Sequence, residues 1–377
     1  MKSILFLCNH ASFFVSHRLP IAMRCKKSFD VKLLIGKASS TKMENIAIKE
    51  LNIKKINYKI LNFKSFSLNL FSEILGFIQI FFNLFINKPD LIHLISPKCV
   101  LYGGVIARIL NIKSVVISIS GVGSVMNIDS KLIRNLYFFI LKIVFSNKNK
   151  KIIFHNKQDL KMFKKKFCLN KNDLILTFGS GVDLNKKFNR TIFSKKSVLF
   201  PSRVLIDKGI KEFLVCSKIL KKKYKDWEFI VAGSLDYESP LALPIKEIIK
   251  NKKDGIKFLG YKKNIMEIIN KSSIICLPSY REGMPKVLLE ASVLGKAIVT
   301  TNIPGCKEII NMCKNGILVK PKNSKSLFLG LEKLILNSKL RDKIRRNSVR
   351  IAKKNFGIDK IINVHINCYK SLILNVK

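Results

Sequence analysis

The sequence predicts an α/β protein of two doubly wound halves, each a parallel sheet covered by helices. Short, continuously apolar, β-rich runs alternate with helical patterns along the chain, as expected of strands buried on both faces. The length, 377 residues, is enough for two domains with separate cores. A polar, turn-forming seam at 179–194, opening Gly179-Ser180-Gly181-Val182-Asp183, divides the pattern in two. The expected domains are 1–185 and 195–356, with ligands at the carboxyl ends of the strands.

In the first half the apolar runs place strands at 3–8, 30–35, 53–60, 91–95, 114–119, 151–155 and 174–177. Helical spacing falls between them at 19–27, 41–51, 70–86, 100–110, 132–145 and 157–165. The second half repeats the rhythm, with strands at 198–201, 228–232, 256–259, 274–277, 297–300 and 316–319. Its helices are expected at 210–221, 244–250, 265–271, 285–294, 306–312 and 324–337, and a helical run from 339 to the end breaks near 355–357. Residues 70–86 are apolar enough to suggest a membrane span, but Glu73, Gln79 and Asn83 form a polar stripe. A buried or surface-docked helix is the reading there. Residues 132–145, with Lys131, Arg134 and Lys142 among large apolar side chains, fit either docking on an anionic membrane or a core helix with snorkelling lysines.

Hydrophobic residues make up 48% of the chain and aromatic ones 9%, which excludes a disordered protein. The formal net charge of +46 invites an anionic partner, yet the lysines are spread throughout, as a general compositional bias would also give. Nine cysteines without a C-x-x-C pair argue for a reducing cytoplasm and against disulfides or zinc. The five histidines lack metal-ligand spacing and no D-x-D motif occurs, so no metal or other cofactor is expected. The apolar run 4–8 is too short for a signal peptide.

The most informative stretch is 272–290, SSIICLPSYREGMPKVLLE. It reads as a strand, a turn, and a helix entered through Pro285 at the first helical position. Backbone N–H groups from Lys286 onward, with the helix dipole, make such a terminus an anion site. Glu282 and Glu290 are eight residues apart, so Glu290 can project toward the loop that carries Glu282. Carboxylates there accept hydrogen bonds from sugar hydroxyls, which suggests a nucleotide-sugar. An ordinary amphipathic helix with solvated glutamates is the competing reading. Phe200-Pro201-Ser202-Arg203 and Asp207-Lys208-Gly209 place an Arg and a Lys at a strand end and a helix start, able to converge on one diphosphate.

The string E-G-M-P-K-V-L-L-E, flanked by LPSYREG and ASVLGKAIVTTNIPGCKEII, resembles the E-x7-E motif of family 4 retaining glycosyltransferases. Arg203 and Lys208 likewise resemble that family's R-x4-K-G signature. The resemblance implies the GT-B fold, two Rossmann-like domains facing a cleft, with the C-terminal helix 357–377 packing back on the first. It implies that Arg203 and Lys208 hold the donor diphosphate and that Glu282 and Glu290 contact the sugars, with Arg203, Lys208 and Glu282 as the catalytic set. Gly283, Met284 and Pro285 then fall on the donor side. Gly260-Tyr261 sits where the family reads the nucleobase, although a glycine needed for a turn explains it equally.

In the first domain, S-H-R-L-P-I-A resembles a subgroup that builds surface polysaccharides and lipid-linked glycans. That places His10, His17 and Arg18 on the acceptor side, beside the alternative that Ser16 caps the first helix and His17 is incidental. Many relatives carry a glycine-rich loop after strand one and a histidine near the reacting carbon. This chain has neither; Gly121 and Gly123 occupy the second loop and join the acceptor-side set. The resemblance thus implies a metal-independent transferase working at the inner face of the cytoplasmic membrane. It would move a UDP-linked N-acetylhexosamine or hexose to a polyprenyl-diphosphate-linked saccharide, in peripheral contact with anionic lipid. A nucleotide-sugar 2-epimerase of similar fold is one alternative. A polyanion-binding protein is another, although no nucleic-acid module appears.

Overall fold

The computed structural model describes residues 1–37, 41–64, 69–121, 130–185, 195–237 and 239–374. The chain forms two compact units, Met1–Ser180 with Asp359–Lys377, and Gly181–Ile358.

The first unit holds a seven-stranded sheet, order β3-β2-β1-β4-β5-β6-β7, in which every pairing is parallel. Its strands are β1 (Ser3–Cys8), β2 (Asp30–Lys37), β3 (Asn57–Lys64), β4 (Leu91–Ile95), β5 (Ser114–Ile119), β6 (Lys150–Phe154) and β7 (Leu174–Leu176). The helices are α1 (Ala11–His17), α2 (Leu19–Cys25), α3 (Thr41–Ile53), α4 (Leu70–Asn87), α5 (Pro97–Ile109), α6 (Lys131–Phe145) and α7 (Lys157–Phe167). One core packs α4, α5, α6 and α7 on one face of the sheet through Ile80, Leu84, Val100, Leu141, Val144 and Phe163. A second core packs α1, α2 and α3 on the other face through Phe14, Ile21, Ala47 and Leu51. β4 and β5 are buried at every position, which is why their sequences lack alternation.

The second unit holds a six-stranded sheet, order β10-β9-β8-β11-β12-β13, again parallel throughout. Its strands are β8 (Lys195–Phe200), β9 (Glu228–Val231), β10 (Lys257–Phe258), β11 (Ser272–Leu277), β12 (Ala297–Thr301) and β13 (Gly316–Val319). The helices are α8 (Ile210–Lys223), α9 (Ile245–Lys253), α10 (Ile265–Lys271), α11 (Lys286–Val293), α12 (Pro304–Cys313), α13 (Ser324–Leu336) and α14 (Ser338–Phe356). The order reverses beside β8, so the loops after β8 and β11 flank a topological switch point. The last helix, α15 (Ile358–Leu374), belongs to the first unit, where Cys368, Tyr369 and Leu372 join the core beneath α1 to α3.

Two elements and one capping assignment differ from the sequence expectation. The run 53–60 is split, because α3 continues to Ile53 and Lys55 turns the chain at φ +50°, so β3 starts only at Asn57. The segment after β1 is a helix, α1, with His10 as its N-cap accepting from the Phe13 amide. Ser16 therefore does not cap a helix. It lies inside α1, and its hydroxyl donates to the Phe13 carbonyl.

Candidate active site

The site is built at the carboxyl edge of the second sheet, where the loops after β8 and β11 are locked together. After β8 the chain passes Arg203 and makes a 3-10 turn, Ile206–Lys208, closed by Gly209 at φ +76°. A Cβ on Gly209 would lie 2.1 Å from the Pro278 carbonyl oxygen, so only glycine permits both the left-handed turn and this approach. The Tyr280 amide donates to the Asp207 carbonyl at 2.9 Å. The Tyr280 hydroxyl donates to Glu212 Oε1 at 2.7 Å, tying the loop to the first turn of α8.

These constraints bring Lys208 and Glu282, 74 positions apart, into contact. Lys208 Nζ lies 2.7 Å from Glu282 Oε1, and the Ser279 hydroxyl donates to the same oxygen at 2.9 Å. The two side chains are only 17% and 15% exposed. Burial alone would favour the neutral amine, but the Glu282 and Asp207 carboxylates outweigh it and raise the Lys208 ammonium above its ordinary value. The lysine is a fixed positive charge at neutral pH. A buried pair of this kind can be exchanged for contacts with a charged ligand, because either partner alone would be poorly solvated.

Arg203 is placed on the same edge and is close enough to oppose the Lys208 charge. Its Nη1 lies 3.0 Å from Asp236 Oδ2, and the guanidinium is 44% exposed, leaving donors directed to solvent. Asp236 sits on the loop after β9, which is sewn to the β8 loop by Val204 N–H to Ser234 O at 3.0 Å and Ile206 N–H to Leu241 O at 2.8 Å.

Pro285 is the N-cap of α11, one position before the expected one, and as a proline it offers the helix no side-chain cap of its own. Gly283 and Met284 form the approach to it. The start of α12 presses on the Gly283 carbonyl, since a Cβ on Gly305 would stand 2.1 Å from that oxygen. Glu290 is buried one turn into α11, with Lys286 Nζ at 4.0 Å. Arg203, Lys208 and Glu282 thus share the loops at one edge, while Glu290 lies within the helix that leaves it. Gly260 adopts φ +67°, a left-handed turn with open space beyond it, and Tyr261 beside it is exposed. Sequence reasoning missed Tyr280, Glu212, Ser279 and Asp236. Only Ser279 and Tyr280 lay within the recognised string, and their partners are set by tertiary packing.

In the first unit the expected acceptor-side residues part company. His10 caps α1, and the amides of Ala11 and Ser12 are held by the Glu44 carboxylate at 2.7 and 3.1 Å. His17 is half-buried and stacks on Phe13 with ring centroids 4.3 Å apart. Arg18, by contrast, is fully buried. Its Nη1 donates to the His17 carbonyl at 3.1 Å and its Nη2 to His155 Nε2 at 3.2 Å. The unforeseen helix α1 turns Arg18 inward, where it sits as the N-cap residue of α2. Behind it, His93 is hydrogen-bonded to Ser118 Oγ at 2.8 Å and to the Tyr369 hydroxyl at 2.7 Å. Burial, reinforced by Arg18 and the neighbouring rings, holds His93 and His155 well below the ordinary imidazole value and brings His365 to about 3. Gly121 lies at the edge of the description at φ +139°, and Gly123 lies outside the described residues. Among the described residues, no three His, Cys, Asp or Glu side chains are grouped as metal ligands would be.

Comparison with known proteins gives the family. Residues 183–350 match the family described as "Glycosyl transferases group 1", and residues 3–156 match "Glycosyl transferase 4-like". The chain is 29% identical over 275 residues, 68% of its length and 70% of the relative's, to the N,N'-diacetylbacillosaminyl-diphospho-undecaprenol alpha-1,3-N-acetylgalactosaminyltransferase of Campylobacter jejuni. It is 22% identical, across 76% of its length and 78% of the relative's, to the capsular polysaccharide biosynthesis glycosyltransferase CapM of Staphylococcus aureus. Among solved structures, Anabaena HepE in complex with UDP superposes with a TM-score of 0.76 over 98% of this chain and all of that one, at 17% identity. This likeness establishes the GT-B fold. The two family matches together take in most of the chain, which is a glycosyltransferase of the group 1, family 4-like kind.

Proposed function

We propose that the chain transfers an N-acetylhexosamine or hexose from a UDP-linked donor to a polyprenyl-diphosphate-linked saccharide, with retention and without a metal, at the inner face of the cytoplasmic membrane. The observation that carries this is the Lys208–Glu282 pair, held with Arg203 at the carboxyl edge of a parallel sheet beside the start of α11. Two fixed cations and a helix terminus match a diphosphate. Glu282 and Glu290, one in the loop and one in the helix, supply acceptors for sugar hydroxyls. The donor class is supported by the UDP bound in the HepE structure, and the acceptor class by the name of the Campylobacter relative.

In this reading Arg203 and Lys208 neutralise the charge that grows on the leaving diphosphate, and Glu282 orients Lys208 while binding the donor. The leaving diphosphate can take the acceptor's proton, which explains a first-unit loop without a histidine at that point. The test is transfer from a panel of nucleotide-sugars to a lipid-diphosphate saccharide. Donors that work raise the unfolding temperature, and Lys208→Gln and Glu290→Gln abolish transfer while circular dichroism shows a folded chain. Full activity in either variant contradicts the proposal, and turnover of the donor without any acceptor favours an epimerase.

A further inference from the structure

Helix α4 is amphipathic in the inverted sense. Phe71, Ile74, Leu75, Ile78, Phe82, Phe85 and Ile86 are all exposed, Phe71 at 71% and Ile86 at 75%. At 100° per residue they fall within about 120° of arc, a single outward apolar stripe. The polar residues of the helix face the protein instead. Glu73 is held by Lys98 at 2.8 Å and by the Tyr102 hydroxyl at 2.6 Å. Gln79 accepts from the Asn62 amide at 2.7 Å, and Asn87 accepts from Lys32 Nζ at 2.9 Å. A helix bathed in water would reverse this arrangement.

On the same layer, across α5, α6 exposes Leu132, Ile133, Leu136 and Phe139. The layer α4 to α7 carries ten basic side chains and two acids. Both acids are engaged, Glu73 as above and Asp159 by Asn156 at 2.7 Å. Flanking the apolar stripes, Lys131 and Lys142 on α6 and Lys161, Lys164 and Lys165 on α7 stand exposed.

We propose that this face docks on an anionic lipid bilayer, with α4 lying in the interface and its Phe/Ile stripe among the acyl chains. The proposal rests on the reading that the acceptor is lipid-linked, and it adds which surface meets the lipid. Charge selects the occupant: a second copy would set these exposed lysines against their own counterparts, whereas anionic headgroups neutralise them. No helix among the described residues is long and apolar enough to cross a membrane, so the contact is one of lying on the surface.

The experiment is co-flotation of the full chain with phosphatidylglycerol–phosphatidylcholine vesicles and with phosphatidylcholine vesicles alone, beside UDP titration of the same samples. The chain is expected to float with the anionic vesicles. Replacing Phe71, Ile78 and Phe82 together by Ser is expected to weaken this by more than about tenfold while UDP affinity stays unchanged. Phe82→Trp keeps the apolar character, and its emission should shift to the blue and be quenched by bromine-labelled lipid, against the constant background of buried Trp227. Vesicle binding equal in wild type and triple variant overturns the proposal. So does Trp emission at position 82 unchanged by vesicles, or a dimer seen by light scattering that the triple variant breaks without any vesicle binding. Failure of UDP to bind, with vesicle binding intact, falls on the donor assignment instead.

Discussion

The two units share one plan and stabilise their strand-end regions by opposite means. In the second unit the polar work is done at the rim by carboxylates, each held by a partner: Glu282 by Lys208, Asp236 by Arg203, and Glu212 by the Tyr280 hydroxyl. In the first unit it is done by neutral rings inside. All five histidines of the chain, His10, His17, His93, His155 and His365, lie in that unit, and three are buried around Arg18, next to Tyr369 of α15. The second unit has none. The rim charges remain available to a ligand, whereas the buried network is committed to holding α15 against the sheet. On the proposed reading, the difference separates a donor-binding edge from a structural clasp.

The sharpest way to break this contrast is at the Lys208–Glu282 pair. Lys208→Met alone leaves a carboxylate stranded in a largely buried place and is expected to destabilise the second unit by about 3 kcal/mol. Adding Glu282→Gln should restore most of that, as read by chemical denaturation, and additive losses would show the pair to be uncoupled.

Acid should act on the other unit. The buried histidines have depressed values in the fold, so they stay neutral there while the unfolded chain takes up protons below about pH 6.5. Their contribution to stability is therefore present above that pH and is lost as pH falls. The loss is about 1.4 kcal/mol per histidine for each pH unit until the folded-state value is reached. Calorimetry between pH 7.5 and 5.5, a range set by that unfolded value, should show the first unit's transition moving down while the second's holds. A parallel shift of both contradicts the contrast.

The second unit's edge was legible because each half of it sits in a short string. Arg203 and Lys208 are five residues apart and Glu282 and Glu290 eight, so local spacing places each pair on its own strand–turn–helix unit, and the pairing of β8 with β11 brings the two units side by side. The clasp was not legible. Arg18, His93, His155 and His365 come from four distant elements, and nothing near Arg18 in sequence marks it as buried. The helix α1 was missed for a related reason: its cap is a histidine, and its apolar pair Ala11 and Phe14 spans less than one full turn. On α4 the polar stripe was visible, but which way it faced depended on Tyr102, Lys98 and Asn62, and it turned out to face inward. Periodicity shows that a helix is two-sided. It does not show which side meets water.

Smaller effects refine the contrast. Tyr280→Phe removes the bond to Glu212 and loosens the β11 loop against α8, so donor affinity should fall several-fold, about 1 kcal/mol, with little change in the unfolding midpoint. An unchanged donor affinity would make Tyr280 a packing residue only. Asp236→Ala should be smaller still for stability, within about 1 kcal/mol, because Arg203 is nearly half exposed. Its signature is a raised KM for donor, as the guanidinium loses its orientation.

Titration calorimetry of UDP into the wild type and into Lys208→Gln reads the diphosphate assignment without needing the acceptor. Binding by the wild type and a weakening of about a hundredfold in the folded variant is the result expected of a fixed cation on the diphosphate. Equal affinity in the two proteins would contradict the account, since the rim charges would then have no part in holding the donor.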